Sequence, residues 1–322
     1  MGSKSLKKKD KSEKIRIILD TDANNELDDQ HAIAYMLFND SIFDVEGITI
    51  NKTKNGGNID EHYKEAERVV TLCDWQSRVR LYKGATNGFD DIKSQIKNSD
   101  YDGSDAIEFI ISRAQIESDS KLVLLAIGKL TNIALAIKKD PTIMQKIKIV
   151  WLGSNYPNPG EYNQENDLSS IQYIIDSDVE FQIALVRYGE DSGTDAVRTS
   201  LSEIEKIMPG KGPQIPIPII GRHGGYFTNF GDYSVNLFQN AEYHDTPPTR
   251  ALFDMAAVAI LKNPNWAREK IIPKPKLLNG VWIERPDHPD RITIWEYFKK
   301  EKIIDDFFST MNIELSDKNQ KN

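Results

Sequence analysis

Four aspartates fall within ten residues near the start of the chain: Asp20, Asp22, Asp28 and Asp29, in IRIILDTDANNELDDQH (15–31). Crowded like charges raise the cost of ionising one another unless something positive sits between them. The chemistry open to such a cluster is that of a hard cation, because Ca²⁺ and Mg²⁺ select oxygen ligands. A phosphate cradle would want a glycine-rich turn and a lysine after the first strand, and neither is there.

Those side chains need a scaffold that stops where they begin. Ile15–Leu19 reads as a strand, and His31–Phe38 carries apolar residues at helical spacing. Downstream, FDVEGITI, VRLYKG, LVLLAI, IKIVWLG and VEFQIALV read as strands. Helical patterns separate them, in HYKEAERVVTLC, DAIEFIISRAQ, LTNIALAIKKD and SSIQYIID. This alternation predicts an α/β fold of Rossmann type, a single open and mainly parallel sheet with helices on both faces. Ligands of such sheets sit beyond the carboxyl ends of the strands. Here those ends deliver DTDANNELDD, then Asn51 with KTKNGGN, then Ile127 and Gly128 with KLTN, and finally SNYPNPGEYNQEND. Rich in carboxylate and amide and poor in lysine, they suit a hard cation and a polyhydroxylated ligand.

Composition removes other classes. A net charge of −8 argues against a nucleic-acid partner. The single cysteine, Cys73, forms no internal disulfide and reads as inert core. No apolar run reaches the roughly 18 residues of a membrane span. Residues 1–14 read as a disordered basic arm or an expression scar, and 15–322 as one domain. The compartment stays open: cytoplasmic or, with an export signal removed, periplasmic or extracellular. Residues 208–248 read as long loops with short elements. Asp20 is expected to cap the turn at the strand end, and Thr131 and Asn132 to cap a helix. His31 reads as a packed or surface residue, and His62 and His288 as solvated. Trp75, Trp282 and Trp295 read as packing.

DTDANNELDD resembles the DxDPGxDD signature of the inosine-uridine-preferring nucleoside hydrolases. AIGKLTNIALAIKKDP is similar to their GPLTNxAxAxxxxP segment, EYNQENDLSS to EFNxxxDPEA, and LFDMAAVAILKNP to HDxxAxAxxxxP, in the same order over roughly residues 15–266. The resemblance implies a Ca²⁺-dependent hydrolase that splits the N-glycosidic bond of ribonucleosides through an oxocarbenium-like transition state, without an organic cofactor. It implies one Ca²⁺ per chain, held by Asp22, Asp29, Asp254 and the carbonyl of Ile127. The sugar 2′- and 3′-hydroxyls and a water would complete the shell. Asp22 would also be the general base, and Asp28 would accept from the 2′-hydroxyl. Glu161 and Asn163 would hold the 5′- and 3′-hydroxyls beside the flat wall of Tyr162, with Asn51 and Asn155 as further substrate contacts. The implied partner is a small nucleoside or riboside, and the chain is expected to form a dimer or tetramer.

The chain departs from the family pattern twice. The loop between the second aspartate and the acidic pair, usually Pro-Gly-x, is Ala23–Leu27. Its bulge can bring Asn24, Asn25 or Glu26 to the site. Phe253 stands where many members place a histidine that protonates the leaving base; His223, ahead of His244, is the expected replacement, and Phe253 itself can stack on the base. Three other readings remain. One is a hydrolase of another N-glycoside or riboside, one a non-catalytic Ca²⁺-dependent sugar or nucleoside receptor. The third, suggested by ILDTD alone, is a haloacid-dehalogenase-type phosphatase.

Overall fold

The computed structural model describes residues 14–243 and 246–312. The expected basic arm, apart from Lys14, and His244 lie outside the described residues. Six strands alternate with helices through the first part of the chain: β1 (Ile15–Thr21), β2 (Phe43–Ile50), β3 (Leu81–Lys83), β4 (Leu122–Ala126), β5 (Ile147–Leu152) and β6 (Glu180–Ala184). They lie in the order β3-β2-β1-β4-β5-β6, all parallel. Arg291–Glu296 continues the sheet parallel to β6, and Arg268–Pro273 closes it as an antiparallel edge. The open, mainly parallel sheet expected from the alternation is therefore present, with a carboxyl-terminal extension that the apolar pattern did not disclose.

Period-two alternation explains why these runs form the centre of the sheet. Ile17 and Leu19 of β1, with Val123 and Leu125 of β4, feed the core on one face. Ile18, Leu122, Leu124 and Ala126 feed the core on the other. A strand covered on both sides is apolar through its middle, and in β1 the charged residues, Arg16 and Asp20, fall toward its two ends. The strand order reverses between β1 and β4, which opens a crevice at their carboxyl ends.

Two buried helices close that crevice. α1 (Asp28–Phe38) carries Asp28 and Asp29 in its first turn, and the helix Phe253–Lys262, packed against α1, carries Asp254 in its own. Neither helix has a side-chain cap; acids in a first turn suit the positive end of the helix dipole. The span 208–248 holds more order than its composition suggested. Phe230–Gln239 is a helix, because Asn229 accepts from Asp232 N at 2.8 Å and Phe230, Tyr233, Leu237 and Phe238 face inward at helical spacing.

Candidate active site

Asp28, Asp29 and Asp254 each place a carboxylate oxygen within 4.8 Å of the others, and all three are buried. Asp22 completes the acidic floor. Burial pushes its carboxyl up to about 7, opposed by a hydrogen bond from Thr53 and reinforced by Asp20 and Glu161. Burial likewise raises Asp28 to about 7, with Asp22 adding to the effect. Asp29 and Asp254 are pushed well above the usual carboxylate range, by burial first and then by their acidic neighbours. Such a group is costly to ionise, and a cation among the oxygens reverses the balance. The donor set is entirely oxygen, so the residues fit a hard cation. The carbonyl of Ile127 lines the same cavity and accepts from Asn163 Nδ2 at 3.1 Å, which leaves one of its two lone pairs.

The floor is braced from below. Thr21 Oγ1 donates to Asp29, and Thr53 Oγ1 to Asp22. Asp20 does not cap a turn. It is fully buried and accepts from Thr49 Oγ1 (2.6 Å), Asn51 Nδ2 (3.0 Å) and Asn132 Nδ2 (2.7 Å), tying β1 to β2 and to the helix Thr131–Lys139. The expected caps Thr131 and Asn132 are consequently used elsewhere: Leu130 occupies the cap position, Thr131 donates to Asp167, and Asn132 serves Asp20. His62 is another correction. It is fully buried beneath the Ala23–Leu27 loop, because the helix that carries it (Ile59–Leu72) presses that face against the loop. Its Nδ1 lies 2.9 Å from the Asp22 carbonyl and 3.3 Å from Asn24 N, and its Nε2 has no partner among the described residues. Gly56 is required beside it: at φ +81°, a Cβ would sit 2.6 Å from the imidazole.

The wall opposite the carboxylates comes from the turn after β5. Ser154, at φ +68°, donates its N–H to Glu161 Oε2 at 2.9 Å. Glu161 also accepts from the N–H groups of Asn163 (3.0 Å) and Gln164 (2.8 Å), so it starts a short helix while lining the cavity. Asn163 Nδ2 bridges the Ile127 and Leu152 carbonyls. The phenol of Tyr162 is fixed by Asn55 N at 3.0 Å. Phe253 lines the mouth with Tyr188, the two rings edge to face with centroids 5.8 Å apart.

The cavity thus gathers Asp28, Asp29, Ile127, Glu161, Tyr162, Asn163, Phe253 and Asp254, together with Asn25 and Glu26 of the long loop. Four other expected site residues lie apart from this lining. Asp22 is buried behind it, held by Thr53, and is outside the trio of converging carboxylates. Asn51 is buried behind it on Asp20. Asn155 holds its own loop through Gly160 O and receives Tyr188 N. His223 is exposed and lines an adjoining cavity with Arg222 and Arg250; burial and then Arg222 and Arg68 hold its imidazole below the usual range. Tyr188 was missed. It follows β6, and the strand-end rule applied to that strand would have found it.

Comparison with known proteins agrees with the fold. A family model described as inosine-uridine preferring nucleoside hydrolase matches residues 17–305. A rice protein (Oryza sativa subsp. japonica) named probable uridine nucleosidase 1 is 26% identical over 222 residues, 64% of this chain; the match spans 60% of that relative's length. Among solved structures, a plant nucleoside hydrolase superposes with a TM-score of 0.71 at 15% identity, over 92% of this chain and 98% of that one. A purine-preferring ribonucleoside hydrolase from Gardnerella vaginalis gives 0.70 at 19% identity with the same coverage. At these identities the likeness is one of fold.

Proposed function

Because the chain belongs to the inosine-uridine preferring nucleoside hydrolase family, we propose that it hydrolyses the N-glycosidic bond of ribonucleosides to ribose and free base, and that its cation is calcium. The observation that carries the reading is the trio of buried carboxylate oxygens from Asp28, Asp29 and Asp254 on the floor of the crevice. Asp22, Asp29, Asp254 and the Ile127 carbonyl would hold the ion, with Asp28 turned to the sugar. When bound, calcium supplies a Lewis acid for water and an anchor for vicinal hydroxyls.

The remaining chemistry belongs to the chain. Asp22 takes the proton of the attacking water. Asp28 accepts from the 2′-hydroxyl, and Glu161 and Asn163 hold the far side of the ring. Their fixed negative and dipolar groups stabilise the positive charge that develops on the sugar. Phe253 and Tyr188 shield the leaving group from water. His223, in the adjoining cavity, would offer the base a proton. Since no histidine among the described residues lines the acidic cavity itself, a second reading is favoured by the same observation. In it the leaving group needs little protonation, as in another N-glycoside or riboside.

The test is a panel of ribonucleosides and p-nitrophenyl riboside, assayed for reducing sugar with chelator and with Ca²⁺ or Mg²⁺ restored. Release from nucleosides that depends on Ca²⁺ is expected. No release from any riboside would overturn the reading, and release from p-nitrophenyl riboside alone would establish the second one.

A further inference from the structure

The acidic cavity has a volume of about 130 Å³, room for a pentose and little more. A base attached to that sugar must continue past the mouth. An adjoining cavity of about 350 Å³ shares two wall residues with it, Asn25 and Glu26. Both belong to the five-residue loop that replaces the family's Pro-Gly-x. Glu26 is fixed as a partition: its carboxylate pairs with Arg250, and its carbonyl accepts from Arg222 Nη1 at 2.7 Å.

Among the described residues, two polar atoms on residues that line this second cavity have no hydrogen-bond partner. Asn25 Oδ1, an acceptor, is buried without a partner, and so is Arg250 Nε, a donor. The Asn25 backbone is nevertheless fixed, its N–H donating to the Asp22 carbonyl at 2.9 Å. Leaving buried polar groups unpaired costs roughly 1–3 kcal/mol each, so a ligand that satisfies both gains what the free protein lacks. An acceptor and a donor on one wall complement an N–H and a C=O on the ligand.

We propose that Asn25, assisted by Arg250, determines which leaving base the site accepts, its amide oxygen receiving a ring N–H of a base whose carbonyl meets the guanidinium. The inference rests on the nucleosidase reading and adds to it a residue from a loop in which this chain departs from its family.

The experiment compares inosine with 1-methylinosine, in which the ring N–H is replaced by a methyl group, on wild type, Asn25→Leu and Asn25→Asp. p-Nitrophenyl riboside reports the glycosidase chemistry separately. Wild type is expected to favour inosine in kcat/KM by roughly 10- to 100-fold, the range of one buried hydrogen bond. In Asn25→Leu that ratio should fall close to one. Asn25→Asp keeps an acceptor and should retain most of it, which also shows that the loop tolerates substitution. An unchanged ratio in Asn25→Leu, or no discrimination by wild type, overturns the assignment. Wild type inert toward p-nitrophenyl riboside and every nucleoside would instead overturn the nucleosidase reading, and this inference with it.

Discussion

Replacing Asp29 by asparagine separates the two roles that a buried acid at a cation site must reconcile. In the absence of a cation, Asp29 sits beside Asp22, Asp28 and Asp254, and burial and these neighbours push its carboxyl well above the ordinary range. Asparagine removes one of the mutually repelling groups and can keep the bond from Thr21 Oγ1. In chelator, Asp29→Asn should therefore melt at or above the wild-type temperature. With Ca²⁺ the order should invert. An ion at about 100 times its Kd stabilises the folded state by about 2.7 kcal/mol. Unfolding entropy of about 2.1 cal/mol/K per residue over 322 residues comes to roughly 0.7 kcal/mol/K, so wild type should gain about 4 °C. Asp29→Asn should gain less than ~1 °C, since a neutral amide is a poor substitute ligand for a hard cation. Differential scanning fluorimetry with a Ca²⁺ titration, backed by metal analysis, reads both numbers. A full Ca²⁺-dependent rise in Asp29→Asn would refute its place among the ligands. A steep loss in chelator would refute the mutual repulsion.

Other consequences are open to direct measurement. His31 is fully buried with Nδ1 2.6 Å from the Leu27 carbonyl, and burial lowers it from 6.5 to about 4. The unfolded chain thus binds the proton more tightly between those values, and the stability contribution present above pH ~6.5 is lost as pH falls toward 4, about 3 kcal/mol in all. His31→Gln should show a smaller drop in urea midpoint between pH 7 and 4.5 than wild type; parallel drops would mean that His31 does not titrate on unfolding. His62 positions Asp22 through its carbonyl, so His62→Leu should lower kcat by about 10²-fold with little change in KM. His62→Asn, which can restore the bond, should recover most of it; failure of that rescue with an intact melt would assign His62 to packing alone.

Much of this molecule can be read from strings of residue types. The alternation of apolar runs sets the order in which strands and helices follow, and covered strands such as Ile17–Leu19 admit few alternatives. Asp28, Asp29 and Asp254 meet in the structure, whereas the resemblance implied Asp22, Asp29 and Asp254 as the ligand set with Asp28 on the sugar. What escaped depends on contacts across long separations in sequence. His62 looks solvated on its own helix, and only the loop 38 residues earlier buries it. Asp20 and Asn132 read as independent turn and cap residues and Asn51 as a substrate contact, yet they form one buried cluster because β1 lies between β2 and β4. The carboxyl-terminal edge strand is mostly exposed, and Arg268–Ile271 shows no alternating burial by which an edge strand could be recognised.

Among the described residues no lysine or arginine lines the acidic cavity, and carboxylates from Asp28, Asp29, Glu161 and Asp254 surround it. With calcium offsetting the carboxylates that hold it, a 5′-phosphate would still bring nearly two negative charges up to Glu161, the residue that meets the 5′ side of the sugar in the proposed reading. At an effective dielectric of about 20, a single like-charge pair 4 Å apart already costs about 4 kcal/mol, whereas an uncharged nucleoside crosses the same mouth without penalty. Under the nucleosidase reading the enzyme would therefore ignore nucleotides and wait for a phosphatase-type step to strip them. The pentose it releases would leave unphosphorylated, and a kinase-type step would have to follow before that sugar could be held as a phosphate ester.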